Sequence, residues 1–511
     1  MSQTSEKSIK EIVIVGGGSA GWMTAAALSR LLQPEHIQVT VVESEHIGTI
    51  GVGEATIPDI INFNGILGIP EDEFMRATNA TFKLGIEFEN WGKIGERYFH
   101  PFGQHGADMQ GIDFHQFYLS SKAHGNSNSI EDYSLCALAA KQNKFQLPSN
   151  DPRNVLSQIR YAYHFDATLY ARLLRSYAES RGVKRIEGKV ENIGTQTDTG
   201  FIESLTLESG KTISGDFFFD CTGFRALLLS KTLDVKFKDW THWLPCNSAQ
   251  AIACEHNGPL LPYTKAKAKS VGWQWRIPTQ KRTGNGYIYS NEFISDETAT
   301  DVLLSGLDGA AIGAPKQLRF KTGCRETFWE KNCVAIGLSA GFLEPLESTS
   351  IYLIQMGVSR FISMFPGSQH PEIVAKEYNR HMSLLYDQVR DFIILHYCAT
   401  NRDDSDFWNY CRNMSLPDSL VHKMELFKSA GRVFRYEDEL FSKPSWVAVL
   451  LGQGIIPETV DPIISSLPRQ QLDKSLRSMH HAMQTAATNM PSHEMLIQKY
   501  CSSSSLSLIH I

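Results

Sequence analysis

Ile12-Val13-Ile14-Val15-Gly16-Gly17-Gly18-Ser19-Ala20-Gly21 is the stretch on which the fold turns. Four apolar residues in a row, closed by glycine, suit a strand buried on both faces of a parallel sheet. Gly16, Gly18 and Gly21 then fall at G-x-G-x-x-G spacing. One glycine permits a tight turn, one lets backbone approach a pyrophosphate, and one allows close helix-to-sheet packing. Trp22 to Leu32 reads as the helix that follows, and Ile37 to Val42 as a second strand ending at Glu43. Parallel strands need such a crossover. The helix start, with Ser19 and Ala20, offers free N–H groups to phosphate. Glu43 stands where an acid can bind ribose hydroxyls. The unit predicts a bound dinucleotide.

The rest of the chain is consistent with a large soluble protein. Its 511 residues suggest two or three structural units. A hydrophobic content of 42% can supply a sizeable core. A net charge of −6 without any Lys/Arg run argues against nucleic acid or an anionic membrane as partner. No apolar run approaches the ~18 residues of a membrane span, and the first ten residues lack a secretory apolar stretch. Nine cysteines show neither C-x-x-C nor metal-ligand spacing. Reduced thiols in a cytoplasmic protein, with no metal site, are the expectation.

From Thr81 to Phe88 the pattern alternates, with Phe82, Leu84, Ile86 and Phe88 on one face and Lys83, Gly85 and Glu87 on the other. Asp166 reads as the N-cap of a helix carrying Leu169, Tyr170, Leu173, Leu174 and Tyr177. Phe217 to Asp220 reads as another short buried strand. From about Ser350 onward the texture turns helical. These signals predict an α/β fold with α+β elaboration. Residues 1–360 form the dinucleotide domain with inserted pocket segments, 361–500 a mainly helical domain, and 501–511 a disordered tail.

A second glycine-rich stretch, Gly48 to Pro58, either runs along the far part of a long cofactor or is a plain surface loop. Asp220-Cys221-Thr222-Gly223 and Gly337-Leu338-Ser339-Ala340-Gly341 resemble the returning segments of flavin domains. The latter lacks the Gly-Asp pair of many flavoproteins, so no aspartate is assigned there.

Five segments in order resemble the flavin-dependent tryptophan and indole halogenases. They are Gly51-Val52-Gly53-Glu54-Ala55-Thr56, Phe82-Lys83, Tyr163-His164-Phe165-Asp166, Trp273-Gln274-Trp275-Arg276-Ile277-Pro278 and Leu343-Glu344-Pro345-Leu346-Glu347-Ser348-Thr349. The fourth matches the W-x-W-x-I-P signature, and the resemblance runs from Gly16 to about Gly454. It implies a Rossmann-type, flavin-monooxygenase-like FAD domain. Gly51, Gly53, Ala55, Thr56, Val190, Gly337 and Leu338 complete the cofactor set begun by Gly16 to Gly21 and Glu43. Reduced FAD, delivered by a separate NAD(P)H-dependent reductase, oxygen and halide would give hypohalous acid. That oxidant would travel to a lysine beside an electron-rich aromatic.

The resemblance gives Lys83 the role of that lysine and Glu347 the role of stabilising the cationic ring and helping remove its proton. Read from the residues alone, Lys83 is an exposed strand lysine paired with Glu87, and Glu347 a helix-start acid. Thr349 and Ser350 would bind halide through backbone, with serine at Ser350 where the family usually has glycine; bromide is then the favoured halide over chloride. Trp273 and Trp275, alternating on one strand face, are either core or, with Ser348, the wall between flavin and substrate. His100 and Phe102 would stack on an indole, with Trp446 lining the same pocket. The stretch Phe441 to Val449 lacks the tyrosine pair that clamps an amino-acid backbone in tryptophan-specific members. Indole or a larger indole-like molecule is therefore expected over free tryptophan. A homodimer is compatible with the family. Two other readings remain: a single-component FAD hydroxylase, and a catalytically idle flavin-binding module.

Overall fold

The computed structural model describes residues 9–45, 53–367 and 371–502. Gly51 and residues 503–511 lie outside them, so the expectations placed there are not addressed. Strand Glu11–Val15 sits inside a six-stranded sheet, between Phe217–Asp220 and Gln38–Glu43, and pairs in parallel with both. Its burial is complete from Ile12 to Val15, as an unbroken apolar run requires. Lys184–Glu187 extends one side and Cys333–Ala335 the other, also in parallel. An antiparallel edge, Trp329–Glu330, closes the sheet. Helix Ser19–Leu31 leaves the first strand as anticipated.

Gly16 explains why this turn tolerates nothing larger. Its φ is +109°, and a Cβ there would lie 2.2 Å from the Cys221 carbonyl oxygen. A Cβ at Gly21 would lie 1.8 Å from the Gly16 oxygen, so helix and strand meet through glycine. Asp166 caps helix Ala167–Glu179, accepting from the N–H groups of Thr168 and Leu169.

A seven-stranded sheet forms the second layer. Trp273–Pro278 lies within it, between Thr283–Tyr289 and Thr264–Ala268. Gly85–Glu89 and Arg97–Pro101 form its far edge. A small antiparallel sheet joins the two layers: Ala162–Asp166 is flanked by Gly53–Ala55 and Thr81–Lys83. The single alternating strand read over Thr81 to Phe88 is therefore two strands in two sheets, broken at Leu84. Both faces of this crossing are covered. Phe82 stacks on Phe145 at 4.1 Å, and Lys83 has no exposed surface at all. Glu87 instead lies 3.6 Å from Lys265, so the exposed Lys83–Glu87 pair is corrected. Fully burying a phenylalanine contributes about 1.5–3 kcal/mol, which helps hold a strand that carries a buried cation.

Beyond Phe342 the described chain is helical. Ser350–Ser363 spans position 360 and is followed by the 28-residue helix Pro371–Cys398. The last helix, His493–Tyr500, returns to the lysine strand, where His493 Nε2 accepts from the Phe82 N–H at 3.1 Å. Cys501 is buried and its carbonyl accepts from Gln280, so the ordered chain runs past the point where a tail was expected. No helix among the described residues is long and apolar enough to cross a membrane.

Candidate active site

The candidate residues gather in two places, a cavity over the first βα turn and a buried cluster around Lys83. The first is a cavity of about 920 Å³ over the first βα turn. Gly16, Gly18, Ser19 and Ala20 form its floor, with Glu43, Gly53, Val190, Gly337 and Leu338 around it. Gly17 belongs there too: a Cβ on it would collide with the Glu43 carboxylate. Glu43 is held by the Trp22 indole N–H and by Arg185, which aims its carboxylate across the opening. A bare glycine turn, a helix N-terminus and a fixed acid suit an adenine dinucleotide. Trp275 and Ser350 also face this cavity. Gly21 serves the packing behind the turn, whereas Ala55 and Thr56 lie beyond the lining.

The second site is closed around Lys83. Its Nζ donates to Ser348 Oγ at 2.7 Å and to the Thr56 carbonyl at 3.0 Å, and lies 4.9 Å from the centre of the Phe102 ring. Burial pushes its pKa down to about 7, against the pull of Glu347. Ser348 can meet it because the residue takes the left-handed conformation, with φ +60°, between the Pro345–Glu347 turn and the following helix. Ser348 therefore binds the lysine directly, in addition to any part in a wall.

Glu347 is 1% exposed. His100 Nδ1 lies 2.9 Å from its Oε2, and His396 Nε2 lies 2.8 Å from its Oε1. Burial would raise this carboxyl, but the two imidazoles outweigh it and hold the pKa at about 2. Thr349 has no exposed surface, and its Oγ1 lacks a hydrogen-bond partner among the described residues. It precedes helix Ser350–Ser363, whose first N–H groups are open to an anion.

Trp273 and Trp275 share a face, with ring centres 6.1 Å apart. Trp275 borders the cavity, while the Trp273 N–H is bound by Glu344 at 3.0 Å. Burial pushes Glu344 up to about 7, even with that bond and one from Tyr397. Trp446 is 1% exposed, donates to Glu439, and packs edge-on against Phe392. It sits one ring behind His100, whose neighbours are Phe392 and Phe441. His396 and Glu344 were not recognised in the sequence. Each meets its partner only through the fold, and a helix histidine carries no local mark of such a role. No group of His, Cys, Asp or Glu among the described residues could hold a metal.

A Rossmann-type turn opening on a large cavity, with a buried lysine and a buried carboxylate nearby, is the arrangement of a dinucleotide-binding enzyme. Residues 11–469 match the tryptophan halogenase family, and the chain belongs to it. It is a flavin-dependent halogenase, an oxidoreductase that uses reduced FAD, oxygen and halide, a small aromatic substrate, and a separate flavin reductase. Among solved structures, Xcc4156, a flavin-dependent halogenase from Xanthomonas campestris, is 44% identical with a TM-score of 0.94, covering 97% of this chain and 99% of that one. BrvH, from Brevundimonas sp. BAL3, is 42% identical with a TM-score of 0.93, covering 96% and 99%. The tryptophan 6-halogenase SttH of Streptomyces toxytricini is 35% identical over 94% of this chain and 96% of its own.

Proposed function

We propose that this halogenase brominates indole or an indole-like aromatic, in preference to free tryptophan, through hypohalous acid held at Lys83. The observation that carries the reading is an ammonium with no exposed surface and a pKa near 7, beside an ionised carboxylate and an aromatic ring. Reduced FAD, held by Gly16 to Ala20 and Glu43, would supply the two electrons with which oxygen is activated to oxidise halide to hypohalous acid. Lys83 Nζ, positioned by Ser348 and Thr56, donates a hydrogen bond to the oxidant's oxygen. As the halogen passes to the substrate ring, the departing hydroxide takes the Lys83 proton and leaves as water. Glu347 stabilises the cationic ring and accepts the proton that the ring loses. His100 and Phe102 are the stacking surfaces.

Substrate choice follows from what faces His100. Phe441 stacks on Phe392 at 3.7 Å, and residues 446–450 are buried. Lys443, the cation in this stretch, is engaged by Asp113. That wall offers an apolar surface in place of a clamp for an amino-acid backbone. Bromide is favoured because it is oxidised more readily and so tolerates a weaker hold at Thr349 and Ser350. The test supplies reductase, NADH, FAD, bromide and chloride with indole or tryptophan. The expected product is indole heavier by bromine for hydrogen, with tryptophan converted more slowly. Oxygenated indole alone, under full flavin turnover, would overturn the reading in favour of a hydroxylase.

A further inference from the structure

His396 has hydrogen-bond demands that a neutral ring cannot meet. Its Nδ1 lies 2.9 Å from the carbonyl oxygen of Phe392, one turn earlier on the same helix. A carbonyl only accepts, so Nδ1 carries hydrogen. Its Nε2 lies 2.8 Å from Glu347 Oε1, off the ring N–H axis but well within contact. A bare Nε2 there would set lone pair against lone pair in a site closed to water, at 0% and 1% exposure. A proton on one partner or the other must therefore relieve that contact.

Three observations assign that proton to the imidazole. His100 Nδ1 already approaches both oxygens of Glu347, at 2.9 and 3.1 Å, which favours the anion. Lys83 adds a positive field on the same carboxylate. Aromatic rings surround His396, with centres at 4.8 Å for Phe88, 5.3 Å for Phe392 and 6.0 Å for Trp91. Such faces attract a cation.

Resting on the function proposed above, we infer that His396 is a permanent imidazolium and a positioning residue, holding Glu347 as an aimed carboxylate throughout the reaction. Glu347 takes the proton from the ring carbon. Because its charged form is so favoured, it gives the proton up again, and the Lys83 amine left after water departs is the acceptor. Protons then balance over one turnover, with His396 unchanged.

The groups that face His396 are few. Glu347 comes from the Pro345–Glu347 turn, and His100 of strand Arg97–Pro101 and Lys83 of its own strand act on that same carboxylate. Tyr98, a buried phenol, is raised well above its ordinary value by burial and by Glu347. On the histidine's own helix, Asp391 is engaged by Arg390, and Tyr397 is bound to Glu344. Gln453 donates to the His396 carbonyl and not to its ring. Among the described residues, Glu347 is the one carboxylate that meets the ring.

The direct test is ¹⁵N NMR of the full-length protein with labelled histidine, the His396 signals being identified by their loss in His396→Gln. Both ring nitrogens should carry protons from about pH 6 to 9, and Glu347→Gln should convert the ring to its neutral form. A bare ring nitrogen on His396 at pH 7 would overturn the inference. In steady-state bromination, His396→Gln should lower kcat about a hundredfold with KM within about twofold. It should also move the acid limb of the kcat profile to higher pH, because Glu347 loses the charge that keeps it ionised. An unchanged acid limb would contradict the inference, since a merely structural histidine would leave it in place. Retained bromination in Glu347→Gln, with His396 doubly protonated in the parent protein and neutral in the variant, would instead refute the role given to Glu347, so the two failures are distinct.

Discussion

Replacing Lys83 by Met should make the protein more stable while ending halogenation. Burial takes the ammonium from its ordinary 10.5 to about 7. At neutral pH that one group costs the fold roughly 4–5 kcal/mol. Above pH 10.5 the amine is neutral whether the chain is folded or not, and the penalty vanishes. As pH falls, the unfolded chain takes up the proton first, so the folded state loses ground until about pH 7. Below that both states are protonated and the penalty is constant. At pH 10 less than about 1 kcal/mol of it remains. Methionine is similar in length, flexible and uncharged, so it carries no such penalty. Loss of the Ser348 and Thr56 hydrogen bonds subtracts about 1 kcal/mol each, but this does not change with pH. The advantage of Lys83→Met over its parent should therefore grow by roughly 3–4 kcal/mol between pH 10 and pH 7 and then level off. Parallel chemical denaturation of both proteins at several pH values measures this. An advantage that stays flat, or grows toward pH 10, would refute the desolvation argument.

Other perturbations separate the remaining parts of the site. Glu347→Gln should slow product formation about a hundredfold while reduced flavin is still reoxidised by oxygen; equal slowing of both, followed by stopped flow, would reassign Glu347 to flavin binding. Ser350→Gly, which removes a side chain facing the cavity, should raise the share of chlorinated product when both halides are offered. An unchanged product ratio by mass spectrometry would dissociate this position from halide choice. Gly16→Ala should give protein that retains no FAD, because the new methyl falls on the Cys221 carbonyl; normal flavin absorbance after gel filtration would contradict the close approach.

What could be read from the chain depended on how local the physics was. The glycine turn was legible because its spacing and the left-handed φ at Gly16 are set within six residues, although the Cys221 carbonyl that leaves no room for a side chain there comes from another strand's end. Asp166 was legible for the same reason, since a cap bonds only two and three residues ahead. Thr81 to Phe88 was misread because alternation looks the same whether a strand stays in one sheet or crosses between two. The break at Leu84 is masked when both faces are buried. The state of Lys83 depends on Ser348, 265 residues away, and no spacing encodes that. Its candidacy came from resemblance, as did that of Glu347. His396 lies on a long helix among ordinary core residues, and only the fold brings it to the carboxylate.

In the proposed reaction, oxidant forms in the flavin cavity and is consumed at a separate, buried amine. Lys83→Ala tests it most directly when flavin reoxidation and brominated indole are followed in the same reaction. Reduced flavin should be oxidised at the parental rate with brominated product lost. Bromination near the parental rate without that nitrogen would contradict it.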